Sequence, residues 1–164
     1  MQILNGVLIA LACGAASGEM TAPPGPLKDQ FGATASLADR AGEIQLVVVV
    51  SAKRLRRIRP WEEAIRSEFE SVPLLRVADV PKSSPADYED VAAKLRRRLP
   101  EDVNVLIDLD GSWASRFELD VNYPSLLLFD AEGNLISRYS GMFKPALFEP
   151  LRVQLEELLE GQPP

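Results

Sequence analysis

The feature that most restricts how this chain can fold is an apolar run at residues 44–50. It consists of Ile44, Gln45 and Leu46 followed by four consecutive valines. A β-branched strand without polar alternation is typical of the centre of a sheet that is covered on both faces. The run therefore predicts a central strand with other elements packed above and below it.

Helical and strand patterns alternate along the rest of the chain. Apolar residues at spacings of three and four predict an amphipathic helix over residues 52–69, which Pro60 either kinks or begins. Strands are predicted at 72–80, 103–108, 126–129 and 135–139, and helices at 84–99, at 111–119 and from Pro145 or Pro150 to Glu160. The helix at 84–99 is expected to begin with Ser84 as its cap. This alternation, closed by a hairpin, predicts a mixed central sheet with helices on both faces.

The hairpin at residues 121–141 is the most specific pattern in the chain. Tyr123-Pro124-Ser125 precedes a short apolar strand, the polar turn at 130–134 contains Gly133, and the second strand ends at Gly141. Because proline cannot donate to a strand ladder, Pro124 is expected either to begin the strand or to form a cis-proline turn.

These residues resemble the second half of a thioredoxin-like domain. The similarity is greatest to the redoxin branch of that superfamily, which includes peroxiredoxins and exported thiol-disulfide oxidoreductases. It rests on Asp108-Leu109-Asp110-Gly111, on a short helix with Trp113 and Phe117, and on the Tyr123-Pro124 that follows. The residue pattern at 27–42 also resembles the entry segment of that branch, which is a short hairpin followed by one helical turn. The resemblance covers about residues 27–159 and implies an α/β fold, the thioredoxin-like three-layer sandwich. It also implies a cis proline that faces a pair of active-site cysteines.

The thiol site that the resemblance implies is missing from this sequence. Counting back from Pro60 as in thioredoxins, the two cysteine positions fall on Ala52 and Leu55, with Lys53-Arg54 between them. The peroxiredoxin alternative, a threonine and a cysteine after a proline, is also absent. The sequence therefore predicts a thioredoxin-like protein that has lost its redox centre.

The N-terminus is expected to direct export. Residues 3–18 are apolar and end in small residues, which fits a secretory signal peptide (1–18) and is too short for a mature membrane-spanning helix. Cys13 has two interpretations, a lipidation site or a small apolar residue within a signal that is removed. A proline-rich linker (19–26), the domain (27–160) and a short disordered tail (161–164) complete the expected organisation. The predicted location is periplasmic or otherwise extracytoplasmic, with membrane attachment only through the signal or a lipid anchor.

Composition narrows the possible chemistry. The chain has one cysteine, no histidine and a formal net charge of −6. A single cysteine cannot form an intramolecular disulfide, and the absence of histidine removes the commonest acid-base group and transition-metal ligand. The negative charge argues against a general affinity for nucleic acid. No cofactor, metal site or catalytic residue is predicted, and enzymatic activity is not expected.

A cluster of cations at the predicted start of the first long helix is unusual in an acidic protein. It comprises Lys53, Arg54, Arg56, Arg57 and Arg59. A helix N-terminus already favours anions, so this basic segment (residues 53–59) is a candidate site for an anion or an acidic partner. The alternative is a solvated face whose cations pair with nearby acids such as Glu62 and Glu63. The helix dipole disfavours cations at a helix start, so a favourable interaction is expected to offset that electrostatic cost.

Tyr123 and Pro124 form the second candidate site. A proline loop beside a sheet can hold an extended peptide through backbone hydrogen bonds, which requires no sulfur. The leading hypothesis is an exported thioredoxin-like protein that binds a protein or peptide partner through this loop and the basic segment. The alternatives are a redoxin-family enzyme with a non-thiol anion-binding site and a lipid-tethered structural module of the cell envelope.

Overall fold

The structure is a computed structural model, and it describes residues 23–80 and 87–161. The predicted signal peptide, which includes Cys13, lies outside the described residues. No helix in the described part of the chain is long and apolar enough to cross a membrane.

Seven strands form one mixed sheet in the order β2-β1-β5-β4-β3-β6-β7. The central strand β3 pairs in parallel with β4 and antiparallel with β6, and β4 pairs in parallel with β5. Hairpins β1–β2 and β6–β7 close the two edges. The strands are β1 (Leu27–Asp29), β2 (Thr34–Ala35), β3 (Gln45–Ser51), β4 (Leu74–Asp79), β5 (Leu106–Asp108), β6 (Ser125–Phe129) and β7 (Leu135–Ser140).

Helices cover both faces of this sheet, which confirms the predicted three-layer α/β architecture. Two 3₁₀ helices, Leu37–Arg40 and Ala52–Arg57, precede and follow β3. The α-helices are α1 (Arg59–Glu68), α2 (Tyr88–Arg98), α3 (Ser112–Arg116) and α4 (Pro145–Glu160).

Every residue of β3 is buried, as the valine run predicts. On one face Val48 and Val50 pack in a cluster with Trp61 of α1 and Leu151 of α4. On the other face Val47 and Val49 pack in a cluster with Trp113 and neighbouring aromatic residues. A third cluster joins α2 to β4 and β5. The absence of polar alternation in β3 thus follows from two apolar layers meeting at one strand.

The predicted helix over residues 52–69 is divided into two. A 3₁₀ helix occupies Ala52–Arg57, and α1 begins at Arg59 with Pro60 in its first turn. Proline has no N–H and fits the first turn of a helix but not its interior, so the sequence alternative in which Pro60 begins the helix is the one observed. The predicted apolar stripe is otherwise confirmed, since Ile58, Trp61, Ile65 and Phe69 are all buried.

Helix α2 starts later than the sequence pattern predicts. The expected cap, Ser84, lies outside the described residues, and the helix begins at Tyr88. The Asp87 side chain caps it by accepting a hydrogen bond from the Asp90 N–H at 2.8 Å. An aspartate two residues after a proline was therefore the effective capping residue, because its carboxylate can reach the N3 amide.

Candidate functional site

The site is built from two segments that lie far apart in the sequence, the basic segment and the proline loop (residues 120–124). Ser51, at the end of β3, donates its N–H to the carbonyl of Val121 at 2.8 Å. The Arg57 guanidinium donates to the carbonyl of Asn122 at 2.6 Å. These two bonds place the proline loop against the start of the basic segment.

The proline loop is held in shape by its own polar groups. The Asp120 carboxylate accepts from the Asn122 N–H at 3.0 Å and from the Asn122 side-chain amide at 2.9 Å. The Tyr123 N–H donates to the carbonyl of Asp120 at 3.2 Å. This closed turn leaves the Tyr123 ring directed outward, with 44% of the residue exposed.

The expectation of a cis-proline turn is wrong in this structure. The described residues contain no cis peptide bond, so the bond between Tyr123 and Pro124 is trans. Pro124 instead leads into β6, with its carbonyl accepting from the Gly141 N–H at 3.0 Å. The trans form is intrinsically favoured by about 0.5–1 kcal/mol, and the local sequence does not override that preference.

Arg57 also contacts the aromatic ring of the loop. Its guanidinium carbon lies 5.6 Å from the centre of the Tyr123 ring, within the range of a cation–π interaction. The basic segment and the tyrosine therefore form one continuous surface.

The two positions at which the sequence resemblance predicts the family's cysteines hold apolar side chains. Ala52 and Leu55 lie in the 3₁₀ helix and are half-buried, packed against the cluster beneath α2. Neither side chain offers a nucleophile or a redox group. A methyl group and an isobutyl group cannot perform thiol chemistry at these two predicted positions.

The helix start itself is a poorer anion site than the sequence suggests. The Trp61 and Glu62 N–H groups both donate to the carbonyl of Ile58, at 2.9 and 3.1 Å, and Pro60 has no N–H. An open helix N-terminus attracts anions through free amides, and most of these amides are already used. Any attraction for an anion therefore comes mainly from the side chains.

Those side chains gather around an open cleft beside the 3₁₀ helix, which we call the basic groove. Its volume is about 520 Å³, and it has no carboxylate among its lining residues. Arg98, at the end of α2, adds a cation that the sequence pattern did not connect with this site. The other cations that line it are Lys53, Arg54, Arg56 and Arg57.

The alternative interpretation, in which neighbouring acids neutralise these cations, holds only in part. Arg59 pairs with Glu63 at 2.7 Å on the exposed surface. Glu62 pairs instead with Arg76 of β4. Within the described ranges, Lys53, Arg54 and Arg56 form no ion pair. The positive charge of the groove is therefore largely uncompensated.

The buried Asp108, at the end of β5, has a structural role. The Asp108 carboxylate accepts from the Ser112 N–H and hydroxyl and from the Trp113 N–H, at 2.9–3.1 Å, and so caps α3. Among the described residues no group of three potential metal ligands is close enough to hold an ion.

Comparison with known proteins identifies the fold and nothing narrower. No family model matches the sequence, and no curated protein matches it. Among solved structures, a protein described as the thiol:disulfide interchange protein DsbE from Chlorobium tepidum superposes with a TM-score of 0.60 at 21% identity, covering 84% of this chain and 94% of that one.

Two further structures agree with that similarity. The exposed lipoprotein thioredoxin Etrx1 from Streptococcus pneumoniae gives a TM-score of 0.62 at 19% identity and covers 79% of this chain and 98% of its own. An uncharacterized thioredoxin-like protein from Porphyromonas gingivalis gives a TM-score of 0.59 at 16% identity and covers 88% of this chain and 95% of its own. The chain therefore has the thioredoxin-like fold, without the paired cysteines of a thiol-disulfide oxidoreductase.

Proposed function

We propose that this chain is an exported thioredoxin-like binding protein that engages a protein or peptide partner without thiol chemistry. The observation that carries the proposal is the contact of Arg57 with both Asn122 and Tyr123. It joins an uncompensated basic segment to an exposed aromatic ring. Arginine and tyrosine are enriched where protein interfaces concentrate their binding energy.

The partner is expected to be acidic in the region that contacts the basic segment. Lys53, Arg54 and Arg56 face a cleft without carboxylates, so a carboxylate-rich segment would neutralise them. Charge complementarity of this kind raises the association rate and discriminates between partners. Tyr123 would supply the apolar contact beside it, and the proline loop the backbone groups that fix an extended peptide.

Charge reversal is the direct test of this surface. A triple Glu variant at Lys53, Arg54 and Arg56 is expected to lose at least about tenfold in recovery of a partner cross-linked to the full chain in an envelope extract. The matched control reverses Lys94, Arg97 and Lys144, three exposed cations outside the basic groove, and should retain wild-type recovery. Tyr123→Ala should weaken recovery independently.

Two results would contradict the proposal. Equal loss in the control triple variant would mean that total charge, and not this surface, governs capture. Reduction of insulin disulfides or turnover of peroxide by the purified chain would show a redox activity that Ala52 and Leu55 do not provide.

The basic groove favours one second candidate, an enzyme that uses a non-thiol anion-binding site. Five cations around one cleft suit a phosphate or carboxylate group. This alternative requires a small anion to bind at residues 53–59 and to be turned over, with both effects lost on Arg→Glu substitution.

Export and lipid attachment have a separate test, because mass spectrometry of the cell-derived protein would detect an acyl group on Cys13.

A further inference from the structure

A second cleft, the helical groove, lies between α1 and α2 on one face of the sheet. Its volume is about 550 Å³, within the range of ligand-binding clefts. It adjoins the basic groove, since Leu55, Arg56, Arg98 and Leu99 line both. Its apolar lining comes from Leu55, Ile58, Leu99, Pro100, Val103 and Val105.

Arginines surround this apolar floor. Five line the groove against two glutamates, and both glutamates are already paired, Glu62 with Arg76 and Glu63 with Arg59. The remaining three, Arg56, Arg66 and Arg98, are exposed and form no ion pair with any described residue. An occupant that matches this surface must be apolar in its middle and negatively charged at its edges.

The spacing of the unpaired arginines favours an elongated occupant. Arg56 and Arg98 lie where the two grooves meet, whereas Arg66 lies in the last turn of α1. Arg66 lies about 10 Å along α1 from the helix start at Arg59, since a helix rises about 1.5 Å per residue, and the unpaired Arg56 precedes that start in the 3₁₀ helix. The single head group of a small amphiphile would satisfy one end only. An α-helix with carboxylates two turns apart would reach both.

We propose that the helical groove docks an acidic amphipathic helix of a partner protein, with its apolar stripe on Leu55, Leu99 and Val103. This inference rests on the proposed binding function and assigns the partner a second contact, distinct from the one at Tyr123. Docking of an amphipathic helix into an apolar groove is a general mode of recognition. The arginine rim fixes its charge and its orientation.

The test measures fluorescence anisotropy of a labelled peptide with the full chain. The probe is a helical peptide of about 15 residues, built from Glu, Ala and Leu, with one leucine stripe and glutamates two turns, or about 10 Å, apart. A second peptide of identical composition has its leucines distributed around the helix. The wild-type chain is expected to bind the striped peptide at least about tenfold more tightly.

Neighbouring arginines in the last turn of α2 provide a matched pair of variants. Arg98 lines the groove and Arg97 does not, yet both are exposed. Arg98→Glu and Arg66→Glu should each weaken binding about tenfold, because a charged hydrogen bond is lost and a like charge is introduced. Arg97→Glu should leave the affinity within twofold, or about 0.4 kcal/mol.

Three outcomes would overturn the proposal. One is equal binding of the two peptides, and another is equal loss in Arg97→Glu and Arg98→Glu. The third is binding of dodecanoate in place of the peptide with the same dependence on Arg98, which would assign the groove to a small anionic amphiphile. Lys53, Arg54 and Tyr123 do not line the helical groove, and Arg66 does not line the basic groove. The proposed function would therefore fail or stand on its own test.

Discussion

Replacing Trp61 with alanine is expected to lower the free energy of unfolding by about 3–5 kcal/mol. Trp61 is fully buried in the cluster that joins α1 to β3 and α4. Its indole meets the Phe143 ring edge-on at 5.4 Å between ring centres. Alanine would leave a large cavity in a layer with little freedom to collapse.

The same side chain connects the core to the candidate site. Its Nε1–H donates to the carbonyl of Gly141 at 3.1 Å, and the Gly141 N–H donates to the carbonyl of Pro124 at 3.0 Å. Trp61→Ala should therefore also loosen the proline loop. Urea unfolding followed by circular dichroism measures the first effect, and proteolysis near Tyr123 under native conditions measures the second.

The other tryptophan of the chain is a matched control. Trp113 is also buried, but its Nε1–H has no hydrogen-bond partner among the described residues. Trp61→Phe should lower the free energy of unfolding by about 1–3 kcal/mol more than Trp113→Phe, because only the first leaves a hydrogen-bond partner, the Gly141 carbonyl, unsatisfied. Equal costs for the two phenylalanine variants would show that the bond to Gly141 contributes nothing to stability.

Breaking the ion pair between Glu62 and Arg76 is expected to destabilise the fold by about 3–5 kcal/mol. The two side chains are only 19% and 13% exposed. Arg76 lies opposite Val48 in the parallel ladder between β3 and β4, in the middle of the sheet. Glu62→Gln would leave the Arg76 guanidinium mostly buried without a counter-charge.

A double-mutant cycle separates the pair from its members. Glu62→Leu with Arg76→Met removes both charges and should recover most of the stability lost in either single variant. The exposed pair Arg59–Glu63, with side chains 81% and 63% accessible, is the control and should contribute less than about 1 kcal/mol. Additive costs at Glu62 and Arg76 would show that the two groups are not coupled. The unfolding midpoint in urea is the readout.

Local patterns predicted most of the secondary structure because each depends on near neighbours in the chain. Four consecutive valines indicate a strand in almost any context. The turn between β6 and β7 was also predictable, since Gly133 adopts a φ of 82°, which glycine tolerates without strain. The missing cysteines were evident from the sequence as soon as the fold was inferred.

The sequence pattern missed features that depend on distant partners. The predicted acids for the basic segment were Glu62 and Glu63, but Glu62 turns to Arg76, fourteen positions away on a neighbouring strand. Arg98 joins the basic groove from another helix. A charge run reveals its composition but not which of its members the fold neutralises.

By itself, the sequence determined the layered α/β architecture and the absence of a cysteine pair. Both follow from residue identity, namely hydrophobic runs that must be buried and sulfur atoms that are absent. Only the tertiary structure decided that Arg57 contacts Tyr123 and that two arginine-lined grooves meet beside Leu55. These features depend on long-range packing, in which small free-energy differences choose among conformations that local sequence leaves open.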